Sequence, residues 1–182
     1  MRFEAAAIPD VMLVQPQIFT DERGHFFESW QEQKFEAAGL GLKFVQDNEN
    51  RSVRHVLRGL HYQLQQPQGK LVRVVTGSVF DVAVDLRRSS PTFGRWVGAV
   101  LSQENHTLMW VPPGFAHGFL VLSEAAHFLY KCTDFYSPKD ERAIRWDDPD
   151  VGISWPLPAG AVPALSARDA AAQRFRDAES YP

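Results

Sequence analysis

Leu71-Val72-Arg73-Val74-Val75-Thr76-Gly77-Ser78-Val79-Phe80-Asp81-Val82-Ala83-Val84-Asp85-Leu86 is the stretch on which the fold turns. Two β-branched runs flank a Gly-Ser pair, a pattern that predicts two strands joined as a hairpin. In the second run Phe80, Val82, Val84 and Leu86 share one face, and Asp81, Ala83 and Asp85 share the other. Outward from this stretch, similar short runs cover 96–101, 108–111, 117–122 and 127–130. Ser89-Ser90-Pro91, residues 102–105, Pro112-Pro113-Gly114 and Ser123-Glu124 separate them as turns. Many short strands at regular spacing predict an all-β antiparallel sandwich or barrel.

Helices are few and short. Ser29-Trp30-Gln31-Glu32 reads as a capping box, leading into a helix that stops at Gly39. Near the other end, residues 166–172 read as a short alanine-rich helix capped by Ser166. The proline-rich passage 146–158 between them is expected to wrap the barrel rather than form a second domain. One domain over 1–182 is predicted, with 145–182 as a wrapping segment. The chain has no internal repeat and no linker rich enough to divide it.

The net charge of −3 offers no basic field to nucleic acid or an anionic membrane, so an anionic substrate must be held by local arginines. The single cysteine, Cys132, leaves no disulfide framework and suits a reducing compartment. The most apolar stretch, 110–122, is broken by Pro112, Pro113, Gly114, His117 and Gly118, so no membrane span is predicted. The expected location is the cytoplasm.

The chemistry starts with the histidines. A metal-binding jelly roll carries His-x-His on one strand, but here the strand reads Gly59-Leu60-His61-Tyr62-Gln63, with Gln63 in the second position. His117, after Pro113-Gly114, is a second candidate, yet no further His or Cys completes a typical ligand set. The expectation is a barrel without a metal, whose metal position serves acid–base chemistry. Gly59, His61 and Gln63 share one strand face. Lys70 begins the next strand, and Tyr130 is a later phenol. A base, a cation and a phenol are the groups that move a proton on a carbon beside a carbonyl. Arg23, Arg51 and Arg58 offer bidentate phosphate contacts.

The segments Asp21-Glu22-Arg23-Gly24-His25-Phe26-Phe27-Glu28, Gln46-Asp47-Asn48, Leu57-Arg58-Gly59-Leu60-His61-Tyr62-Gln63 and Gly69-Lys70-Leu71-Val72-Arg73 resemble the dTDP-4-dehydrorhamnose 3,5-epimerase family. So do Pro91-Thr92-Phe93-Gly94, Pro113-Gly114-Phe115-Ala116-His117-Gly118-Phe119, Tyr130-Lys131-Cys132-Thr133-Asp134, Ile144-Arg145-Trp146-Asp147-Asp148-Pro149 and Leu165-Ser166-Ala167-Arg168-Asp169. They cover nearly the whole chain in order. The resemblance implies a cupin-type jelly roll that acts as a homodimer on a dTDP-sugar, without metal or organic cofactor. It implies His61 as the base, Asp169 as its orienting carboxylate, Lys70 as the enolate stabiliser and Tyr130 as the acid on the opposite face. Gln46, Asn48, Arg58, His117, Glu141 and Arg168 fall at substrate contacts. Arg23 and Glu28 fall on an N-terminal segment, roughly 1–30, that reaches the neighbouring subunit's site. Cys132 stands where threonine is frequent, Phe135 where tyrosine is, and Glu49-Asn50 where His-Ser is; none removes an implied catalytic group, and relatives acting on other dTDP-sugars share that set.

Each assignment has a plainer competitor. His61 and His117 could satisfy core backbone, Lys70 could be a solvated strand end, and Tyr130 could be packing, with Tyr136 the other phenol nearby. Asp169 pairs with Ser166 at a helix N-terminus, where an acid is favourable by ~0.3–1 kcal/mol without catalysis. Phe19 is the aromatic named for stacking on the base. Rival functions are a single-site epimerase of a related dTDP-sugar, a metal-dependent cupin, and a non-catalytic sugar-nucleotide-binding module.

Overall fold

A computed structural model describes residues 1–182. The runs on either side of Gly77 are strands β7 (Lys70–Thr76) and β8 (Ser78–Asp85), but they do not pair. This corrects the hairpin expectation. Gly77 alone separates them, one residue short of a two-residue hairpin turn. Its amide donates to Gln103 Oε1 at 2.8 Å, and the Ser78 amide donates to Ser123 Oγ at 2.8 Å. Gly77 adopts φ +79°, and a Cβ there would lie 2.1 Å from the Ala125 carbonyl oxygen. The stretch is therefore a corner at which the chain passes from one sheet to the other.

The first sheet has the order β1-β2-β10-β7-β12-β5, formed by β1 (Arg2–Ala5), β2 (Met12–Gln15), β5 (Gln46–Val53), β7, β10 (Leu108–Val111) and β12 (Ala125–Cys132). The second has the order β13-β6-β11-β8-β9, formed by β6 (Leu57–Gln63), β8, β9 (Trp96–Ser102), β11 (Phe115–Val121) and β13 (Glu141–Ala143). Every pairing within the two sheets is antiparallel. The sheets stack as the expected all-β jelly-roll sandwich. A separate hairpin, β3 (Ile18–Asp21) with β4 (Gly24–Phe27), projects from them, its residues mostly exposed.

The alternation read in β8 governs the core. Val79 and Ala83 point between the sheets, where they meet Val72, Val74, Phe115, Phe119 and Phe128. Val82, Val84 and Leu86 point the other way and pack with Leu60, Tyr62, Ile144, Val151 and Ala178. The C-terminal passage supplies that cover, with Trp155, Phe175 and Tyr181 against it. β8 thus carries buried apolar residues on both faces because both are covered. The far face of the first sheet is partly covered by α1 (Glu32–Ala37), through Phe35 against Val14, Leu71, Leu108 and Trp110. Burying such a phenylalanine contributes ~1.5–3 kcal/mol.

The start of α1 differs from the expected capping box. The helix begins at Glu32, and Gln31 is its N-cap, accepting the Lys34 amide at 2.8 Å. Ser29 lies two residues too early to reach the first turn. The stop is as expected: Gly39 has φ +83°, and the amides of Gly39 and Leu40 donate to the carbonyls of Glu36 and Phe35. At the other end Ser166 caps α2 (Ala167–Ala170), its Oγ accepting the Asp169 amide at 3.1 Å. No helix is long and apolar enough to cross a membrane.

Candidate active site

Strands β6 and β11 lie side by side, and His117 is the cross-strand partner of His61. Leu60 and Tyr62 belong to the outer cluster, so Gly59, His61 and Gln63 face the space between the sheets. The two strands come close at a pair of glycines. A Cβ on Gly59 (φ +123°) would lie 2.6 Å from Gly118 Cα and 2.7 Å from the His117 carbonyl oxygen. Glycine here lets the backbones that carry both histidines approach.

His61 Nε2 lies 2.5 Å from Asp169 Oδ1. The Asp169 side chain is 4% exposed and that of His61 30%, so the carboxylate sits behind an imidazole that faces the cleft. Burial pushes the Asp169 carboxyl up, but hydrogen bonding and attraction from His61, with help from Ser166 and the Gly59 backbone, outweigh it and leave it below the usual range. The capping and dyad readings of Asp169 hold together: Ser166 caps its amide while its carboxylate meets His61.

A second, wholly buried dyad lies beside the first. His117 Nε2 is 2.9 Å and 3.1 Å from the two carboxylate oxygens of Asp81. Burial raises the Asp81 carboxyl, against the pull of His117 and Lys70. The sequence groups Asp81 with Ala83 and Asp85 on one face of β8, opposite Phe80, Val82, Val84 and Leu86, and assigns it no role. Its signal was an acid on an otherwise apolar strand.

The facing sheet supplies the cation and the phenol. Lys70 pairs with Cys132, and Tyr130 pairs with Val72 on one side and Asn48 on the other. Burial pulls the Lys70 ammonium down, with Cys132, Glu141 and Asp81 opposing. Burial, with Cys132 beside it, pushes the Tyr130 phenol up, so it stays protonated at neutral pH. The cysteine in the threonine position touches Asn48, whose Nδ2 is 3.5 Å from Sγ. Glu141, opposite Gln63 in register, accepts from Tyr136 and from Arg168 at 2.5 Å each.

His61, Lys70, Tyr130, Gln46, Asn48 and Glu141 line one cleft of about 330 Å³. Arg58, Arg168 and Asp169 line an adjoining opening that also reaches His61. Arg58 Nε donates to Ser52 Oγ at 3.0 Å. Four residues with expected site roles lie elsewhere in the single chain. Arg51 is exposed on the opposite face of β5 from Asn48, because one residue's shift reverses the face. Arg23 sits on the projecting hairpin, paired with Asp21 at 2.5 Å, and Glu28 pairs with Lys34 at 2.7 Å. Phe19 is on the same hairpin, 56% exposed and opposite Phe26, not against His61. Sequence reading also gave Tyr136 no part in the site.

The sequence model of the dTDP-4-dehydrorhamnose 3,5-epimerase family matches residues 5–177. A protein of that name from Pseudomonas aeruginosa is 58% identical, over 100% of both chains. Another from Salmonella typhimurium is 56% identical over 91% of each. Among solved structures, a dTDP-6-deoxy-D-glucose-3,5-epimerase from Legionella pneumophila in complex with dTDP-4-keto-L-rhamnose superposes with a TM-score of 0.93. It is 52% identical, covering 96% of this chain and 93% of its own. Two histidine dyads, a partly buried lysine and a phenol on a cupin-like sandwich therefore accompany an end-to-end match, and the chain belongs to the dTDP-4-dehydrorhamnose 3,5-epimerase family.

Proposed function

We propose that the chain is an isomerase that converts dTDP-4-dehydro-6-deoxy-D-glucose into dTDP-4-dehydro-L-rhamnose, inverting C3 and C5 in dTDP-L-rhamnose biosynthesis. The observation that carries this is the His61–Asp169 pair on one wall of a cleft whose facing sheet brings Lys70 and Tyr130. The 4-keto group acidifies the hydrogens at both neighbouring carbons. With Nε2 bonded to Asp169, His61 keeps Nδ1 free to take a proton, and the carboxylate stabilises the imidazolium that results. The carbon–hydrogen electron pair moves into the carbonyl, and the enolate oxygen forms beside the Lys70 ammonium. Tyr130 returns a proton to the opposite face, and repetition at the second carbon completes the inversion.

His117, held by Asp81, contributes a polar contact to the sugar. Arg58, Arg168 and Glu141 bind the rest of the substrate, and the neutral amides of Gln46 and Asn48 line its path. The protein works as a homodimer in the cytoplasm, without a metal or an organic cofactor. The projecting hairpin delivers Arg23 and Glu28 to the partner's cleft, and its exposed Phe19 and Phe26 are the surface that docking would cover. The test is NMR of the purified protein with the 4-keto substrate and a 4-keto reductase. The reading predicts accumulation of dTDP-L-rhamnose; an unchanged sugar, or one inverted at a single carbon, overturns it.

A further inference from the structure

Gln63 is the residue whose position a metal-binding relative would fill with histidine, and its amide is committed elsewhere. It is buried on the same strand face as His61 and two residues from it. Its Nε2 donates to the carbonyls of Gln66 at 2.7 Å and Phe135 at 3.1 Å, and its Oε1 accepts the Ser137 amide at 2.8 Å. Both amide hydrogens and the carbonyl are thus used on backbone, and all three partners belong to loops at one end of the cleft.

The loop that Gln63 grips, residues 133–137, bridges the two sheets across the cleft mouth. On the side of the first sheet, the Tyr136 amide donates to Gln46 Oε1 at 3.0 Å. Gln68 Nε2 reaches the Asp134 carbonyl at 2.8 Å, and the Gly69 amide reaches Thr133 Oγ1 at 2.8 Å. On the side of the second sheet the Tyr136 hydroxyl meets Glu141, which also holds Arg168. Tyr136 is half exposed and Gln46 and Gln68 are partly so; Gln63 is the buried anchor of the set. The reacting groups cluster at His61, Lys70 and Tyr130, whereas this end presents amides, a phenol and an ion pair.

We propose that Gln63 is a positioning residue that holds the 133–137 loop as the wall for the non-reacting, nucleotide end of the substrate. The inference rests on the epimerase reading above. Gln63 sets affinity and leaves the proton transfers to His61 and its partners. Losing its three hydrogen bonds frees the loop while the strand keeps its backbone ladder.

The experiment uses the full chain with Gln63→Met, which matches glutamine in size, and Gln63→Glu, which keeps the acceptor for Ser137. dTDP binding is measured by calorimetry, kcat and KM with the 4-keto substrate, and amide hydrogen exchange at Tyr136 and Ser137. Gln63→Met is expected to weaken dTDP binding and raise KM by about tenfold or more, with kcat within about threefold of wild type. Exchange at Ser137 should accelerate, and Gln63→Glu should fall between the two. Unchanged KM and dTDP affinity in folded variants overturn the proposal. So does a fall in kcat that matches the rise in KM, which would mean that Gln63 serves His61. Wild-type protein that neither binds dTDP nor turns over the sugar overturns the epimerase reading itself, and the nucleotide wall with it.

Discussion

His61 and Asp169 are 108 residues apart in sequence and 2.5 Å apart in space. Two independent features make that meeting possible: strand alternation aims His61 inward, and the Ser166 cap turns the first residues of α2 so that Asp169 faces it. Asp169→Asn should lower kcat by about 10²-fold or more in a protein that still folds, since it removes the charge opposite the imidazolium. Ser166→Ala should instead cost about 1 kcal/mol of stability in urea unfolding with turnover largely kept. If Asp169→Asn keeps wild-type kcat, the carboxylate is only a helix-end acid. That His61, Lys70 and Tyr130 share one cleft was legible because each is a chemical type in a recognisable stretch of strand. Asp81 was not, because an acid on an apolar strand has no visible partner until β11 lies beside β8 and brings His117 to 2.9 Å. Arg51 was assigned by residue type alone, and the alternation of β5 turns it away from the cleft.

At the scale of elements, the runs around Gly77 were read correctly as strands and incorrectly as a pair. A local Gly-Ser signal reports that the chain turns, not which sheet it turns into. That choice is made by distant groups, Gln103 and Ser123, which take the amides of the corner. Gly77→Ala should destabilise the fold by more than about 1 kcal/mol, because it adds both a positive-φ penalty and a Cβ 2.1 Å from the Ala125 carbonyl oxygen. A shift of the urea midpoint within error would show that the corner can relax. Helix α1 follows the same logic on a smaller scale. Its end was legible from Gly39, whereas its start depended on Gln31 reaching the third amide, for which the Ser-x-x-Glu pattern was a decoy. Val151 and Ala178, with Trp155, Phe175 and Tyr181 beside them, pack on Leu60, Tyr62, Val82, Val84 and Ala116, a partner surface that the proline content of 146–158 does not specify.

For the whole molecule, acid stability and assembly are the properties that the separate parts must produce together. Asp85, at the end of β8, is pushed up by burial but held at about 2 by hydrogen bonds from Arg87, Ser90 and Thr92. Asp169 is also held below its ordinary range. Carboxyls with lowered folded-state values stabilise the fold fully above the ordinary value near 3.8 and lose that contribution as pH falls towards their own. Thermal unfolding should therefore be nearly flat in this respect above pH 5 and fall steeply from pH 4 to about 2. Asp85→Asn should flatten that fall; an unaltered acid profile would remove Asp85 as its cause. For assembly, replacing both Phe19 and Phe26 with serine should weaken the proposed dimer in light scattering and lower turnover with it. A wild-type monomer with full activity would refute the shared cleft. The central claim, proton removal by His61 at both carbons beside the ketone, is tested most directly by incubating the protein with dTDP-4-dehydro-6-deoxy-D-glucose in D₂O and locating deuterium by NMR. The account predicts deuterium at C3 and C5 with wild-type protein and at neither with His61→Ala; substantial labelling by His61→Ala, or none by wild type, would contradict it.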